Sequence, residues 1–412
     1  MTNSASKIVS GVLRRSESAL ILAVLLVVAL TILLDPQRNY WNNPHASIYE
    51  ILRQTSMLGI FALGSAIVII AGGIDLSAGS MIAFGGAICA TFLLLLAPME
   101  MKANEPLGTG VFCVAIFGTI VVGFLVGSLH AWLITVVGLP PFIATLATLQ
   151  GLRSFSRVMV QEVTEHVFES QNTQIYIYDE QIKALAQPVR LPGLGISVPC
   201  PLIIFLALVL LAWLLMSRTI VGRHLYALGG NEAATRLSGI RTDRLKWLAY
   251  CLGSMLSALV GILYMCDQGV ADPQTLGRGY ELNSITAAVV GGCSLQGGVG
   301  TIPGVVLGCL FLRVVLDGIA KVIKSGADAY EGMIVGTVLV IAVAFSHLRG
   351  RQFFPGALGL VTVINLAGLL GVLTALHSSV NQGLVVGLIA LVVLVGVKCF
   401  EWQRNRKIAR GN

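Results

Sequence analysis

Apolar runs long enough to cross a lipid bilayer recur from one end of this chain to the other, and that recurrence limits the fold more than any motif does. About 30 Å of hydrocarbon takes roughly 17–25 residues of helix. Twelve runs approach that need: 17–34, 52–72, 80–97, 108–128, 131–150, 201–217, 247–266, 284–294, 300–316, 332–347, 356–376 and 383–400. The expected fold is all-α and polytopic, with about ten core transmembrane helices, some of them broken, over residues 1–347. Residues 348–412 form an expected extension of two further helices and a basic tail. The run 284–294 is too short to cross alone and reads as half of a broken helix or a re-entrant piece. A chain of 412 residues that is 56% hydrophobic and 11% charged, with a mean hydropathy of +0.84, is not an ordinary soluble domain.

Lys and Arg beside helix ends mark the cytoplasmic side. Lys7, Arg14 and Arg15 put the N-terminus inside. Counting forward, the inside segments include 218–246, which carries Arg218, Arg223, Arg236, Arg241, Arg244 and Lys246 against only Glu232 and Asp243. The turn 348–355, with Arg349 and Arg351, and the tail, with Arg404, Arg406, Lys407 and Arg410, fall on the same side. Both termini are therefore expected in the cytoplasm, with outside segments at 35–51, 98–107, 158–200, 267–283, 317–331 and 377–382. The first run reads as an uncleaved helix, because Asp35-Pro36-Gln37-Arg38 follows it in place of a small-residue cleavage site. The net charge of +7 is the charge of orientation and does not imply nucleic acid.

Enzyme and metal chemistry find no support in the residues. The eight cysteines are scattered through the apolar runs without a CxxC pair or a Cys/His cluster at metal spacing. No glycine-rich loop ending in Gly-Lys-Ser/Thr occurs, so no nucleotide cofactor is expected on this chain and any ATP is bound by another subunit.

Three clusters of polar and helix-breaking residues interrupt the apolar runs, where such residues usually border an interior path. The first is Ala71-Gly72-Gly73-Ile74-Asp75-Leu76-Ser77-Ala78-Gly79-Ser80. Two glycines stop a helix there, and Asp75 and Ser77 are placed either to accept hydrogen bonds from the amides that begin the next one or to form part of a cytoplasmic-side gate. The second is Gly138-Leu139-Pro140-Pro141-Phe142-Ile143-Ala144-Thr145-Leu146-Ala147-Thr148-Leu149-Gln150, whose paired prolines are expected to break a helix in the interior, where protein or water satisfies the freed backbone groups. Thr145 and Thr148 share a helical face. They can offer hydroxyls to a polar solute, bond back to their own helix, or join two helices. The third runs from Ser284 through Gly291-Gly292-Cys293-Ser294-Leu295-Gln296-Gly297-Gly298. Setting Gly72-Gly73 on Gly291-Gly292 also pairs Leu76 with Leu295, Gly79 with Gly298 and Ser65 with Ser284, a weak internal repeat of the kind transporters carry beside their substrate path.

Between two of the runs lies Ala227-Leu228-Gly229-Gly230-Asn231-Glu232-Ala233-Ala234-Thr235-Arg236-Leu237-Ser238-Gly239-Ile240, read as one short helix that docks a partner. Its small residues allow close approach, and Glu232 and Arg236, four apart, can pair with each other or across the contact.

Gly72-Gly73-Ile74-Asp75-Leu76-Ser77, Leu139 to Leu146, Ala227 to Ile240, Thr275 with Gly279-Tyr280-Glu281-Leu282, and Ala287 to Gly300 occur in an order and spacing that resembles the ribose-type permeases of bacterial ATP-binding cassette importers. The resemblance spans roughly 45–345 and implies a multi-pass protein of the bacterial inner membrane. It further implies a second copy or close homologue, two ATPase subunits in the cytoplasm, an extracytoplasmic solute-binding protein, and contact with membrane lipid. On that resemblance Gly229, Gly230, Asn231, Glu232, Ala233, Ala234, Arg236 and Gly239 belong to the element that couples to the ATPase. Asp75, Ser77, Pro140, Pro141, Phe142, Thr145, Thr148, Ser284, Ser294 and Gln296 are the candidates for a translocation path or gate, and the expected solute is a monosaccharide of the ribose, galactose or xylose kind. A nucleoside or branched-chain amino-acid permease of the same superfamily, and an ion-coupled transporter using Asp75, stay open. The polar segment 158–200 and the residues past 347 depart from the family pattern.

Overall fold

A computed structural model describes residues 16–35, 37–190, 197–322 and 327–347. The N-terminal basic residues, the turn 348–355, the runs 356–376 and 383–400 and the basic tail lie outside them. The chain divides into two compact units, Met1–Val343 and Ala344–Asn412.

The observed class is all-α and polytopic. The principal helices are α1 Ser16–Leu34, α2 Pro44–Ile70, α3 Ala78–Leu96, α4 Thr109–Thr135, α5 Pro141–Phe168, α6 Cys200–Arg218, α7 Ile220–Gly230, α8 Glu232–Leu237, α9 Thr242–Gln268, α10 Tyr280–Val290, α11 Ile302–Val322 and α12 Ala327–His347. Six of the described helices, α2, α3, α4, α6, α9 and α11, are long and apolar enough to cross a membrane, and Leu20–Leu34 and Glu331–Val340 are shorter apolar stretches. At 1.5 Å per residue the 11-residue α10 reaches only about 16 Å, half the hydrocarbon thickness.

The expected run 131–150 is not one helix. Residues 131–135 finish α4, Val136–Pro140 turn the chain, and α5 then continues to Phe168, through residues expected in an outside loop. Proline explains the difference. Pro140 takes the N-cap position and Pro141 the first turn, where a missing N–H costs nothing, so the pair starts a helix where a break was expected.

α2 is the central element, buried without interruption from Thr55 to Ile70. α9 crosses against α2, α3 and α4, while α4 and α6 keep broad apolar faces open, including Phe117, Leu125, Trp132, Leu206 and Leu210. The α3–α9 contact is backbone on backbone: a Cβ at Gly261 would overlap the Ile82 carbonyl oxygen and stand 2.7 Å from Gly86 N. Two short antiparallel ladders complete the fold. Ile175–Tyr176 (β1) pairs with Val270–Ala271 (β4), and Pro188–Arg190 (β2) with Ser197–Pro199 (β3). The first ladder ties 158–200 to 267–283 at one end of the bundle, as expected of two segments on the same side.

Candidate functional site

The two glycine turns end their helices identically. After α2, Gly72 N–H bonds Ile69 O at 2.9 Å and Gly73 N–H bonds Val68 O at 2.9 Å. After α10, Gly292 N–H bonds Val289 O and Cys293 N–H bonds Ala288 O, both at 2.9 Å. Each is a Schellman cap that puts glycine in the left-handed region, with φ of 83° at Gly72 and 95° at Gly292. The equivalence is therefore Gly72 with Gly292, one residue off the alignment read from sequence. Two Gly-Gly pairs invited that slip, and the cap geometry decides the register. Ser65 and Ser284 are not equivalent positions but partners, with the Ser65 hydroxyl donating to Ser284 Oγ at 3.0 Å where α2 meets α10.

Both turns arrive at the same end of the bundle, and the loop that follows the second meets the end of α2. Gly298 N–H donates to Ile70 O at 2.9 Å, joining the segment after α10 to the last turn of α2. Gly229, near the end of α7, sits on that junction, and a Cβ there would lie 2.5 Å from Gly298 N and closer still to the Ile70 carbonyl oxygen. On the same helix Tyr226 donates its hydroxyl to Gly300 O at 2.8 Å.

The segment 227–240, read as one helix, is two. Asn231 adopts an extended conformation, and its side chain accepts Ala234 N–H at 3.0 Å, so it ends α7 and caps α8. Gly239, at φ 81°, closes α8 with its own Schellman cap, which makes it a helix stop with open space around it. Glu232 pairs with Lys246 at 2.7 Å and with Arg236 at 3.6 Å, and Arg236 also reaches Asp243 at 3.3 Å, so these charges fasten α8 to the start of α9. Besides Arg236, α8 leaves the apolar residues Ala233, Ala234 and Leu237 exposed, the last 90%. Sequence reasoning passed over Leu237, although its spacing from Ala233 and Ala234 marks one helix face.

The first and second polar clusters pack together beside this junction. Asp75 is buried and accepts from Ser77 N–H at 2.8 Å and from the Ser77 hydroxyl at 2.6 Å. Ser77 therefore occupies the N-cap of α3 without capping it, its hydroxyl being committed to Asp75. Thr145 accepts Leu76 N–H at 3.2 Å while lying 3.0 Å from its own helix's Pro141 O, so it both bonds back and joins two elements. Thr148 Oγ1 is 2.7 Å from His130 Nε2 and bonds back to Thr145 O at 3.0 Å. His130, a polar residue at a helix junction that nothing in the sequence marked as a ligand, is fully buried with Nδ1 unpartnered among the described residues, and with Tyr250, whose hydroxyl donates to Ile74 O at 3.4 Å, it completes the cluster. Phe142 is half exposed. Ser294 accepts Gln296 N–H at 3.2 Å in a tight turn beside Gly298, with Gln296 exposed. Of the ten path candidates, Asp75, Ser77 and Thr145 form one buried group with the half-buried Thr148 beside it, and Ser284 lies deeper along α10, whereas Ser294 and Gln296 belong to the turn under α7. Among the described residues no group of three or more His, Cys, Asp and Glu could hold a metal ion.

Charge in a different form lies beside the start of α3, where a Cβ at Gly79 would meet Glu281 and the Gly277 carbonyl oxygen. Arg153 on α5 donates to the carbonyls of Pro273, Gln274 and Leu276 at 3.2–3.3 Å. With Arg157 and Arg278 it makes the wall of a cavity of about 410 Å³ predominantly basic, Glu281 being the one acid lining it.

Residues 47–343 match the family described as branched-chain amino acid transport system / permease component. The chain is 33% identical over 327 residues to the ribose import permease protein RbsC of Escherichia coli strain K12, covering 79% of this chain and 91% of that protein. It is 32% identical over 307 residues to the RbsC of Bacillus subtilis strain 168, covering 74% and 85%. It is 29% identical over 327 residues to the D-allose transport system permease protein AlsC of Escherichia coli strain K12, covering 79% and 90%. No solved structure matches.

Proposed function

The chain belongs to the branched-chain amino acid transport system / permease family, within its ribose-type group of ATP-binding cassette permeases, and from that premise we propose that it moves a monosaccharide inward across a bacterial inner membrane by alternating access. The names of its relatives, import permeases for ribose and a permease for allose, support the solute class. ATP is bound and hydrolysed by two partner subunits in the cytoplasm, and a second copy or homologue of this chain completes the membrane part. The end bearing α7 and α8 faces the cytoplasm with both termini, since Arg218, Arg223, Arg241, Arg244 and Lys246 gather there.

The observation that carries this reading is the seat of Gly229 on the Gly298–Ile70 junction. An ATPase that grips the outward face of α8 displaces α7, and α7 has backbone contact at once with the end of α2 and with Gly297-Gly298 in the loop that follows α10. Asp75, Ser77, Pro140, Pro141, Thr145 and Thr148 lie beside those turns and act as the inner gate, with Ser284 deeper on the path.

Leu237→Asp tests the docking face, because a side chain 90% exposed is free of the chain's own packing. In a non-denaturing purification the wild-type chain should bring down an ATPase carrying a phosphate-binding loop, and Leu237→Asp should lose it while inserting normally. An ATPase retained at wild-type yield by the variant would remove α8 as the coupling element. A wild-type chain that purifies alone and transports sugar without ATP would end the importer reading.

A further inference from the structure

At the outward end, on the side of the bundle away from Gly229, α2, α10, α11 and α12 enclose a cavity of about 340 Å³. That volume falls within the roughly 300–1,000 Å³ of small-molecule sites. Arg313 lines it, only 9% exposed, and its Nε and Nη2 have no hydrogen-bond partner among the described residues. Buried donors on a charged group are costly to leave unpaired, and since these two atoms lie beneath the cavity surface, an oxygen acceptor arriving from elsewhere meets them with a shift of the Arg313 side chain.

The other polar walls define what those acceptors belong to. Glu50, Asp317 and Glu331 line the same cavity, and each is already oriented by the protein. Glu50 holds Arg53 at 2.8 Å and Gln54 at 3.0 Å, Asp317 holds the Tyr40 hydroxyl at 2.6 Å and Lys321 at 2.7 Å, and Glu331 accepts from Asn283 at 2.8 Å. A carboxylate has about four acceptor sites, so each keeps free lone pairs. With Glu50 paired to Arg53 and Asp317 to Lys321, the charges around Arg313 nearly balance. A neutral polyhydroxyl compound answers both needs, because every hydroxyl donates to a carboxylate and accepts from an arginine. Tyr280, held by its stacking on Phe61, adds a flat apolar wall suited to the C–H face of a pyranose or furanose ring.

Resting on the importer reading above, we propose that this cavity is a sugar-binding way station inside a single permease subunit, with Arg313 as its central hydrogen-bond donor and Glu50 and Glu331 as its acceptors.

The test is thiol protection on the full chain in lipid nanodiscs, prepared with a detergent that has no sugar headgroup. Ile334→Cys, a position on the cavity wall, is labelled with a maleimide, and its peptide is quantified by mass spectrometry; native Cys113, exposed on α4, serves as the internal control. D-Ribose, D-galactose or D-allose at twice its dissociation constant should slow labelling at residue 334 about threefold and leave Cys113 unaffected. Protection should vanish in Ile334→Cys/Arg313→Gln. Protection by inorganic phosphate or L-leucine in place of the sugars overturns the polyol assignment, and so does sugar protection that survives Arg313→Gln. ATP-driven uptake of the same sugars is measured alongside. Uptake without protection removes the way station and leaves the importer standing, whereas absence of both removes both.

Discussion

Gly229→Ala puts one methyl group at the point where three segments of backbone meet. Its Cβ would stand 2.5 Å from Gly298 N and nearer still to Ile70 O, whereas non-bonded heavy atoms rest at roughly 3.5 Å or more. α7 must therefore retreat by about 1 Å or the Gly298–Ile70 hydrogen bond must open, and overpacking of this kind costs about 1–3 kcal/mol. The cost falls only on conformations in which α7 is seated on the two turns. Converted to a population, it moves the seated and unseated states relative to each other by about 5–150-fold. The neighbouring Gly230 is the control, because a Cβ there meets nothing within 4 Å. ATP-driven sugar uptake in proteoliposomes, at matched amounts of inserted chain and ATPase, should fall at least about fivefold for Gly229→Ala and stay at the wild-type level for Gly230→Ala. Wild-type transport by Gly229→Ala, or equal damage from both variants, would refute the argument that the handle acts through this contact.

Three further outcomes follow from the packing. Thr145→Val leaves Leu76 N–H without its acceptor and should destabilise the chain by about 1–3 kcal/mol, seen as a lower melting temperature in detergent; an unchanged melting temperature would mean that water replaces the threonine. Gly261→Val drives a branched side chain into the Ile82 carbonyl and should prevent accumulation of folded protein, measured as the loss of the monodisperse peak on size exclusion, while Gly110→Ala, with nothing nearby, should leave that peak intact. Asp75→Asn keeps an oxygen for Ser77 N–H and Oγ, so uptake should persist with ATP present and continue after a protonophore is added; loss of uptake in either case would favour an ion-coupled mechanism at Asp75.

The spans were legible in the sequence because hydrocarbon thickness imposes a length. Helix boundaries near proline were less so. Pro140-Pro141 breaks a helix when it falls inside one and begins a helix when it follows a turn, and apolar residues on both sides conceal which applies. The split of 227–240 rests on Asn231, a good capping residue that hydropathy does not register. Arg313 was the clearest missed signal: a single basic residue near the end of the apolar stretch 300–316, where its burial is expensive and calls for a function. The pairing of 175–176 with 270–271 could not be read at all, since two-residue strands in separate loops carry no pattern.

Why the contacts at the α7 end are made of glycine follows from what a coupling element must do. A push transmitted through long side chains is absorbed by rotamer changes, because flexible side chains yield more readily than backbone. Gly72, Gly229, Gly297 and Gly298 remove that slack: a Cβ at Gly297 would lie 2.8 Å from Gly72 Cα and 2.9 Å from Gly229 Cα. The two turns are also alike, each a Schellman cap, and the Gly298–Ile70 bond ties the loop that follows the second to the helix that precedes the first, at the point where α7 rests. One displacement of α7 therefore acts on α2 and α10 together. Those helices are linked again by the Ser65–Ser284 bond, five residues, or about 7 Å, farther along α2. A motion that begins at α8 and is to open the interior near Asp75 has to separate or shear this pair, and Ser65→Ala, which weakens the link by about 1 kcal/mol without adding bulk, should make that step easier. The expected readout is faster sugar uptake at saturating ATP with an unchanged yield of co-purified ATPase. Slower uptake would show that the serine pair belongs to the state that conducts.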